Sequence, residues 1–316
     1  MIKKIIDTIH KNHSFILTAH MNLEGDALGS ELAVYLALKK LKKKVVVVNH
    51  DLTPEIYNFL PGVKTIRHEF KDEKVDVAIV LDCSDPDRPG RVKDYLSRAK
   101  CIINIDHHIS NTHFGDLNWV KPQESSTCQM LYRLCEKLNT LDRDIALCLY
   151  TGIFTDTGKF SYSNTNADTH RIVANLMKYN INPPAIYEKI NSLCVPEDMN
   201  VIGKIVASLK FDDTHAICWA PIDKWVDGDH DLTEVIFSIM RLLKGVEVFI
   251  LFKNIGKTQV RVNFRSRARV DVNRIAKFFG GGGHKRASGT TMDGTLQSVE
   301  KQVTDFVLHC TAKKRK

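Results

Sequence analysis

Cys101-Ile102-Ile103-Asn104-Ile105-Asp106-His107-His108 is the stretch that decides how this chain is read. Five uncharged, strand-forming residues deliver a carboxylate and two imidazoles at their exit, a grouping able to hold a hard divalent cation at a rigid edge. Three further segments repeat the design. Phe15-Ile16-Leu17-Thr18-Ala19 leads into His20, Glu24 and Asp26; Val77-Ala78-Ile79-Val80-Leu81 leads into Asp82; the helical run 143–155 delivers Asp156. An apolar strand ending in an acid is commonplace. Histidines 20 and 107 together with the carboxylates of Glu24, Asp26, Asp82 and Asp156 are a rarer combination, and they read as a dinuclear metal centre.

Outward from these segments, strands and helices alternate. Strand 14–19 precedes helix 26–41, strand 44–49, a loop-helix around 53–60, strand 75–82, a helix near 88–97, strand 100–105, and helices 125–138, 143–155 and 169–180. Such alternation predicts a mostly parallel sheet with helices on both faces and its functional residues at the carboxyl ends of the strands. Asn182-Pro183-Pro184 interrupts the pattern, and 185–209 reads as a helical connector with a helix start at Pro196-Glu197-Asp198. Beyond it, strands at 214–220, 246–253 and 259–265 and helices at 231–243, 271–279 and 296–309 predict a second, smaller α/β domain. The expected division is 1–184, 185–209 and 210–316.

Length and composition agree with two cores: 316 residues, 43% hydrophobic. The eight cysteines form no Cys-x-x-Cys pair and lie mostly in apolar patterns, as buried reduced thiols do. The N-terminus begins an amphipathic helix without the features of a leader, and nowhere do about 18 apolar residues run together. The expectation is a cytoplasmic protein with no membrane association. Net charge is +8, but ten basic residues and only Asp271 as an acid lie between Lys253 and Arg286, so the remainder sums to −1. Arginines alternate there with apolar residues, which puts several guanidinium groups on one strand face, suited to phosphate. The lysines between 39 and 44 and the 313–316 tail read as solvated faces.

Two divalent ions about 3.5–4 Å apart can clamp the attacking and leaving oxygens of a phosphoryl transfer, and such a pair needs a bridging carboxylate. Asp82, alone at the end of a central strand, is the candidate bridge. His20 and Glu24 complete one ion; Asp26, His107 and Asp156 complete the other. Oxygen-rich ligation with one imidazole per ion favours Mn²⁺, with Mg²⁺ second, over zinc.

Four blocks now carry a resemblance: His20-Met-Asn-Leu-Glu24-Gly-Asp26-Ala-Leu-Gly29-Ser30, Asp82-Cys-Ser-Asp-Pro-Asp-Arg88, Asp106-His107-His108 and Gly152-Ile-Phe-Thr-Asp156-Thr-Gly158. In order and spacing they resemble the four motifs of the DHH phosphoesterase superfamily. Arg265-Ser266-Arg267 followed by Gly280 to Gly283 and His284 is similar to the DHHA1 domain of one branch. Within the superfamily the chain is most similar to the bifunctional oligoribonuclease and 3'-phosphoadenosine-5'-phosphate (pAp) phosphatase group, the nanoRNases. The resemblance implies an N-terminal DHH domain with a parallel sheet and a DHHA1 domain that holds substrate. It implies a first metal on His20, Glu24 and Asp82, and a second on Asp26, Asp82, His107 and Asp156. Asp106 is implied to orient a ligand imidazole, and His108 to contact the scissile phosphate, with Asp82, His107 and His108 forming the catalytic set. Arg265, Ser266, Arg267, Gly282, Gly283 and His284 match the substrate-holding part. One departure is plain: position 24 is Glu where the family usually has Asp.

Four successive glycines are by themselves weak evidence of a ligand. They belong neither to a P-loop, since no Gly-Lys-Ser/Thr follows, nor to a dinucleotide fingerprint. Beside His284-Lys285-Arg286 they allow a backbone to approach a phosphate closely. The function expected from the resemblance is metal-dependent hydrolysis of short RNA oligonucleotides to 5'-mononucleotides, in the manner of a 3'-5' exoribonuclease, together with removal of the 3'-phosphate of pAp. Competing readings are a cyclic or linear dinucleotide phosphodiesterase, an inorganic pyrophosphatase, and a nucleic-acid-binding module without catalysis. Whether the chain forms a homodimer is left open.

Overall fold

Apolar β-branched runs bounded by polar turns become parallel strands in the first part of the chain. The computed structural model describes residues 1–69, 75–191, 194–223, 232–256 and 258–312. Lys257, the first residue of the expected helix 231–243, two residues of the expected connector (192 and 193) and the 313–316 tail lie outside the described residues. The chain divides into two compact units, Met1–Ser192 and Leu193–Lys316.

The first unit opens with helix α1 (Ile2–Lys11), strand β1 (Ser14–Thr18), helix α2 (Gly25–Lys40) and strands β2 (Lys44–Val48), β3 (Ile66–Arg67) and β4 (Val75–Leu81). Helix α3 (Lys93–Leu96), strands β5 (Ala99–Asp106) and β6 (Leu117–Val120), and helices α4 (Thr127–Lys137), α5 (Arg143–Asp156), α6 (Ala167–Met177) and α7 (Pro183–Asn191) complete it. The strands lie in the order β3-β2-β1-β4-β5-β6, every neighbouring pair parallel. From β1 the chain builds outward one way, returns to β4 beside β1, and builds the other way. The crevice of such a sheet therefore opens between the exits of β1 and β4. Alternate residues supply the two faces: Phe15, Leu17, Val77 and Ile79 pack beneath helices α2, α4 and α5, whereas Ile16, Ala78 and Val80 pack against Val92 and Leu96.

The helix expected near 88–97 is only a 3₁₀ turn, Gly90–Val92, and the four residues of α3. Pro89 and Gly90, the latter at φ +60, punctuate the segment and leave a single turn to propagate. Strand β6 was not foreseen, because Leu117-Asn118-Trp119-Val120 is short and carries a polar residue. Pro183 and Pro184, read as a break, occupy the first turn of α7, where a missing amide costs nothing, and Asn182 accepts from Ala185 N at 3.3 Å.

In the second unit, helix α8 (Asp198–Ala207) precedes strands β7 (Lys210–Phe211) and β8 (Ile217–Ile222), helix α9 (Thr233–Met240) and strands β9 (Val248–Asn254) and β10 (Gln259–Ser266). Helix α10 (Val272–Phe278), strands β11 (Gly282–His284) and β12 (Ala287–Asp293), and helix α11 (Leu296–Ala312) follow. The six strands order as β11-β12-β10-β9-β8-β7, antiparallel except for β8 with β9. Ile202 and Ile205 of α8 pack with Cys218, Ala220 and Phe237, so this part of the expected connector belongs to the second core. Three strands escaped the sequence reading: β7 has two residues, and β11 and β12 are glycine- and threonine-rich. The glycine cluster, read as a loop, ends in strand β11, which pairs Gly282 with Gly289 and Gly283 with Ser288. Among the described residues no helix is long and apolar enough to cross a membrane.

At the start of the first sheet, Asp76 staples three strands. Its Oδ1 receives Lys100 Nζ at 2.8 Å, and its Oδ2 receives His13 N (3.1 Å), Ser14 N (3.0 Å) and Ser14 Oγ (2.9 Å). The Lys100 hydrogen bond, followed by the His13 and Ser14 donors, holds the Asp76 carboxyl below the usual carboxylate range. A depressed folded-state pKa contributes stability that is present above the unfolded value, about 3.9, and lost as pH falls below it. Asp76→Asn is expected to melt lower than the parent at neutral pH, and the gap between the two is expected to narrow steadily as pH falls below about 4. Thermal melts of both proteins across pH 2.5 to 7 check it.

Candidate metal centre

Each proposed donor sits where a strand or helix ends. His20 follows β1, Asp82 follows β4, Asp106 ends β5 with His107 and His108 behind it, Asp26 lies in the first turn of α2, and Asp156 closes α5. Asp82 adopts φ +56, a left-handed conformation that Asp tolerates better than most side chains, and its amide donates to Ile105 O at 2.9 Å. Two histidines are oriented by carbonyls, which can only accept. His20 Nδ1 lies 2.6 Å from Met21 O and His107 Nδ1 lies 3.3 Å from Glu124 O, so both carry the proton on Nδ1 and turn Nε2 inward.

The inward atoms converge on Asp82. His20 Nε2 is 3.2 Å from its Oδ2; His107 Nε2 and His108 Nδ1 are each 3.6 Å from its Oδ1. His20 Nε2 also lies 3.9 Å from Glu24 Oε1, while His107 Nε2 lies 3.5 Å from Asp156 Oδ2 and 4.0 Å from Asp26 Oδ2. Three groupings result, each with donor atoms within 4.8 Å of one another: His20, Glu24 and Asp82; Asp26, His107 and Asp156; and Asp82, His107 and His108. The first two are the sets named from sequence, with Asp82 between them. Asp106 stands apart, wholly buried: its Oδ1 accepts from His107 N (2.8 Å) and His108 Nδ1 (2.7 Å), its Oδ2 from Asn111 Nδ2 (2.7 Å).

The charges explain what such a cluster needs. Burial first, then the charges of Asp82 and Asp156, push Asp26 well above the carboxylate range. Asp156 is raised by burial and by Glu24 and Asp82, and Glu24 by burial and by Asp82. Burial disfavours protonated His20, but the hydrogen bond and charge of Asp82 outweigh it and hold the imidazole at about 9; against the same burial, Asp106 and Asp82 hold His108 at about 9. Burial would raise Asp82 too, yet the His20 hydrogen bond and the charges of His108 and His107 keep it below its ordinary range. Protons thus balance the mutual repulsion of four carboxylates. Divalent cations would do so more strongly, and hard oxygen donors with one Nε2 in each set fit them.

Several supporting residues were not foreseen. Thr127 Oγ1 donates to Asp82 Oδ1 at 2.9 Å, and the amides of Thr127 and Cys128, at the start of α4, donate to Asp26 Oδ2 (2.7 Å) and Oδ1 (2.9 Å). Asn164 Nδ2 donates to Asp156 O at 3.1 Å and Ser125 O at 2.9 Å. Wholly buried Glu31, which burial pushes up to about 8, accepts from Asn49 Nδ2 at 2.8 Å. A signal for the first of these was present: Ser126 followed by Gln129 is a helix N-cap pattern, and Ser126 Oγ indeed accepts from Gln129 N at 3.0 Å.

The residues expected to hold substrate lie in the second unit, and much of their hydrogen bonding is spent on the protein. Arg267 Nη2 donates to Arg241 O (2.8 Å) and Leu243 O (2.9 Å) and its Nε to Val246 O (3.1 Å), closing the carbonyls behind α9. Ser266 Oγ donates to Val270 O at 2.7 Å, and Arg265 pairs with Glu234 while lying 4.9 Å over the Phe237 ring. Gly282 has open space where a Cβ would stand, whereas a Cβ on Gly283 would come within 2.7 Å of Ala287 O. The side chain of His284 lies outside what the structure describes. These contacts make Arg267 a fastener of the α9 turn.

The comparisons with known proteins follow the same division. The model of the DHH family, N-terminal domain, matches residues 14–153, and that of the DHHA1 domain matches residues 227–312. The chain belongs to the DHH family and carries a DHHA1 domain after its catalytic-type unit. It is 31% identical over 302 residues to the bifunctional oligoribonuclease and PAP phosphatase NrnA of Thermus thermophilus, covering 91% of this chain and 90% of that protein. The protein of the same name from Bacillus subtilis is 29% identical, with 92% and 93% covered. A crystal structure of an exopolyphosphatase-related protein from Bacteroides fragilis superposes with a TM-score of 0.88 at 26% identity, covering 96% of this chain and 95% of that one.

Two outcomes are expected. Asp106→Asn removes the charge that holds His108 protonated, so in chelator-treated protein the His108 pKa should fall by at least about one unit, read from imidazole proton shifts in NMR titration. Arg267→Ala should lower the stability of the second unit by about 0.5–1.5 kcal/mol, the net worth of hydrogen bonds whose carbonyls water can reach once the donor is gone. Denaturant melts test it, with Arg267→Lys expected to recover only part.

Proposed function

We propose that this chain is a metal-dependent phosphoesterase that hydrolyses short oligoribonucleotides to 5'-mononucleotides and also removes the 3'-phosphate of pAp. The convergence of the His20–Glu24 and Asp26–His107–Asp156 groups on the two oxygens of one carboxylate, Asp82, carries the reading. Family membership and the NrnA relatives support the substrate class. Two divalent ions, Mn²⁺ in preference to Mg²⁺, would be held by these six residues, and when bound they supply Lewis-acid neutralisation of phosphoryl oxygens and an acidified water.

The chain's own residues do the rest. Asp82 offers one oxygen to each side and keeps the two sets at a fixed separation. His107 and His20, fixed in the Nδ1–H tautomer, present lone pairs without reorganisation. His108, whose Nδ1 is held by Asp106, contacts a phosphoryl oxygen where negative charge grows. Arg265 and the Gly282–Gly283 backbone hold the distal part of the nucleotide, with Ser266 and Arg267 keeping that strand end in shape. Eight free cysteines suit a reducing, cytoplasmic setting.

Assay of pAp, pApA, RNA of two to ten or so nucleotides, linear dinucleotides such as pGpG, and pyrophosphate with Mn²⁺ tests this. Mononucleotide release from short RNA and phosphate release from pAp are expected, lost in chelator and restored by Mn²⁺ more fully than by Zn²⁺. Asp82→Asn keeps both the side-chain shape and the tolerance of positive φ, so its loss reports the carboxylate alone; a fall of at least about a hundredfold in kcat is expected. Turnover of pyrophosphate alone would overturn the substrate assignment, and full activity of Asp82→Asn would overturn the metal centre.

A further inference from the structure

The two halves of the centre are supported differently. The segment 124–128, which ends in the first turn of α4, reaches Asp26, Asp82 and His107 directly and Asp156 by way of Asn164. Glu124 O fixes the His107 tautomer, Ser125 O receives the Asn164 amide that also reaches Asp156, Thr127 Oγ1 pins Asp82 Oδ1, and the Thr127 and Cys128 amides pin both oxygens of Asp26. That segment is itself locked from behind by buried Gln129. Its Oε1 accepts from Ser125 N at 3.2 Å, from Ser125 Oγ and from Thr169 Oγ1 at 2.9 Å, and its Nε2 donates to Glu124 Oε2 at 2.6 Å.

On the other side, the 124–128 segment makes none of the hydrogen bonds seen among the described residues: Glu24 is held by amides of its own helix, and His20 by the next carbonyl and by Asp82 itself. Glu24 is the N-cap of its own helix, accepting from Ala27 N at 2.8 Å and Asp26 N at 3.0 Å; its side chain is 39% exposed, a little more than the 30% of Asp156 in the opposite set and far more than the 1% of Asp26. His20 is fixed by the carbonyl of the next residue. A metal ion entering here must share a carboxylate already engaged with two amides of its own helix, whereas Asp26, Asp82 and His107 are positioned from outside by the 124–128 segment.

Resting on the metal-centre reading, we propose that the two ions bind unequally: the Asp26–Asp82–His107–Asp156 side fills first and tightly, the His20–Glu24 side fills last, and Thr127 is the positioning residue that makes the difference. Activity then tracks occupancy of the His20–Glu24 side, so the enzyme responds to the free metal concentration through its looser ion. Thr127 touches the oxygen of Asp82 that faces His107 rather than the one facing His20, which is why its removal acts first on the tight side.

Mn²⁺ binding to chelator-stripped full-length protein, followed by the electron paramagnetic resonance signal of free Mn²⁺, reads this without any substrate. The parent should show two classes of about one ion each, separated by at least about tenfold, with hydrolysis rising with the weaker class. Thr127→Val, which removes one hydroxyl at constant shape, should weaken the tight class by about tenfold or more, and Thr127→Ser should restore it. Glu24→Gln should weaken only the loose class. Two equivalent ions in the parent, or a tight class untouched in a folded Thr127→Val protein, would overturn the inference even if nucleotide hydrolysis is intact. Two unequal classes in a protein that hydrolyses no nucleotide would leave it standing and remove the proposed function instead.

Discussion

A carboxylate with no solvent contact has to be compensated, and the first unit is arranged around that requirement at Asp26. Two amides at the start of α4 meet its two oxygens, where the unpaired N–H groups and dipole of a helix favour negative charge. That contact obliges α4 to point its first turn at α2. It also obliges α5 to come close: a Cβ at Gly152 would lie 2.9 Å from Asp26 Oδ1 and 2.3 Å from Cys128 Sγ, and one at Gly29 would lie 2.5 Å from Cys148 O. Helices α2, α4 and α5 meet through glycines around the buried Asp26 carboxyl group. The remaining carboxylates follow, Asp82 through the same turn and Asp156 at the end of the helix that Gly152 admits.

What was legible in the sequence were the ends of strands. His20, Asp82 and Asp106-His107-His108 each follow an uncharged run of β-formers, and a parallel sheet places such exits along one edge whatever its order. Topology then did more than the pattern could express, since only the adjacency of β1 and β4 sets His20 beside Asp82 across 62 residues of chain. Thr127 was invisible for the opposite reason. Its hydroxyl sits in a helix N-cap pattern, where local capping accounts fully for Ser126 and nothing local announces a bond to a strand end 45 residues away.

The second unit was less legible, and its arginines show why. A charge skew counts guanidinium groups but does not say where they are used. Alternation along β10 does place Arg261, Asn263 and Arg265 on one face and Val260, Val262 and Phe264 in the core, as expected. Beyond the strand's last residue the alternation no longer applies, and Arg267 turns back to serve three carbonyls. Polar strands β11 and β12 were missed because their composition matches turns, and only pairing makes them strands, β12 with β10 and β11 with β12.

The conformation of Glu24 ties these threads together. Glutamate is one methylene longer than aspartate, yet here its carboxylate folds back onto the amides of Asp26 and Ala27, the capping that Asp142 and Asp271 perform for their own helices. The same Asp26 residue therefore donates its amide to the acid on one side while its own carboxylate receives α4's amides on the other. Each oxygen of Glu24 retains a lone pair beyond the one its amide uses, so capping and coordination are compatible, but the cap lowers the negative charge that an ion would meet. A carboxylate that stabilises the start of α2 also steadies the helix that carries Asp26.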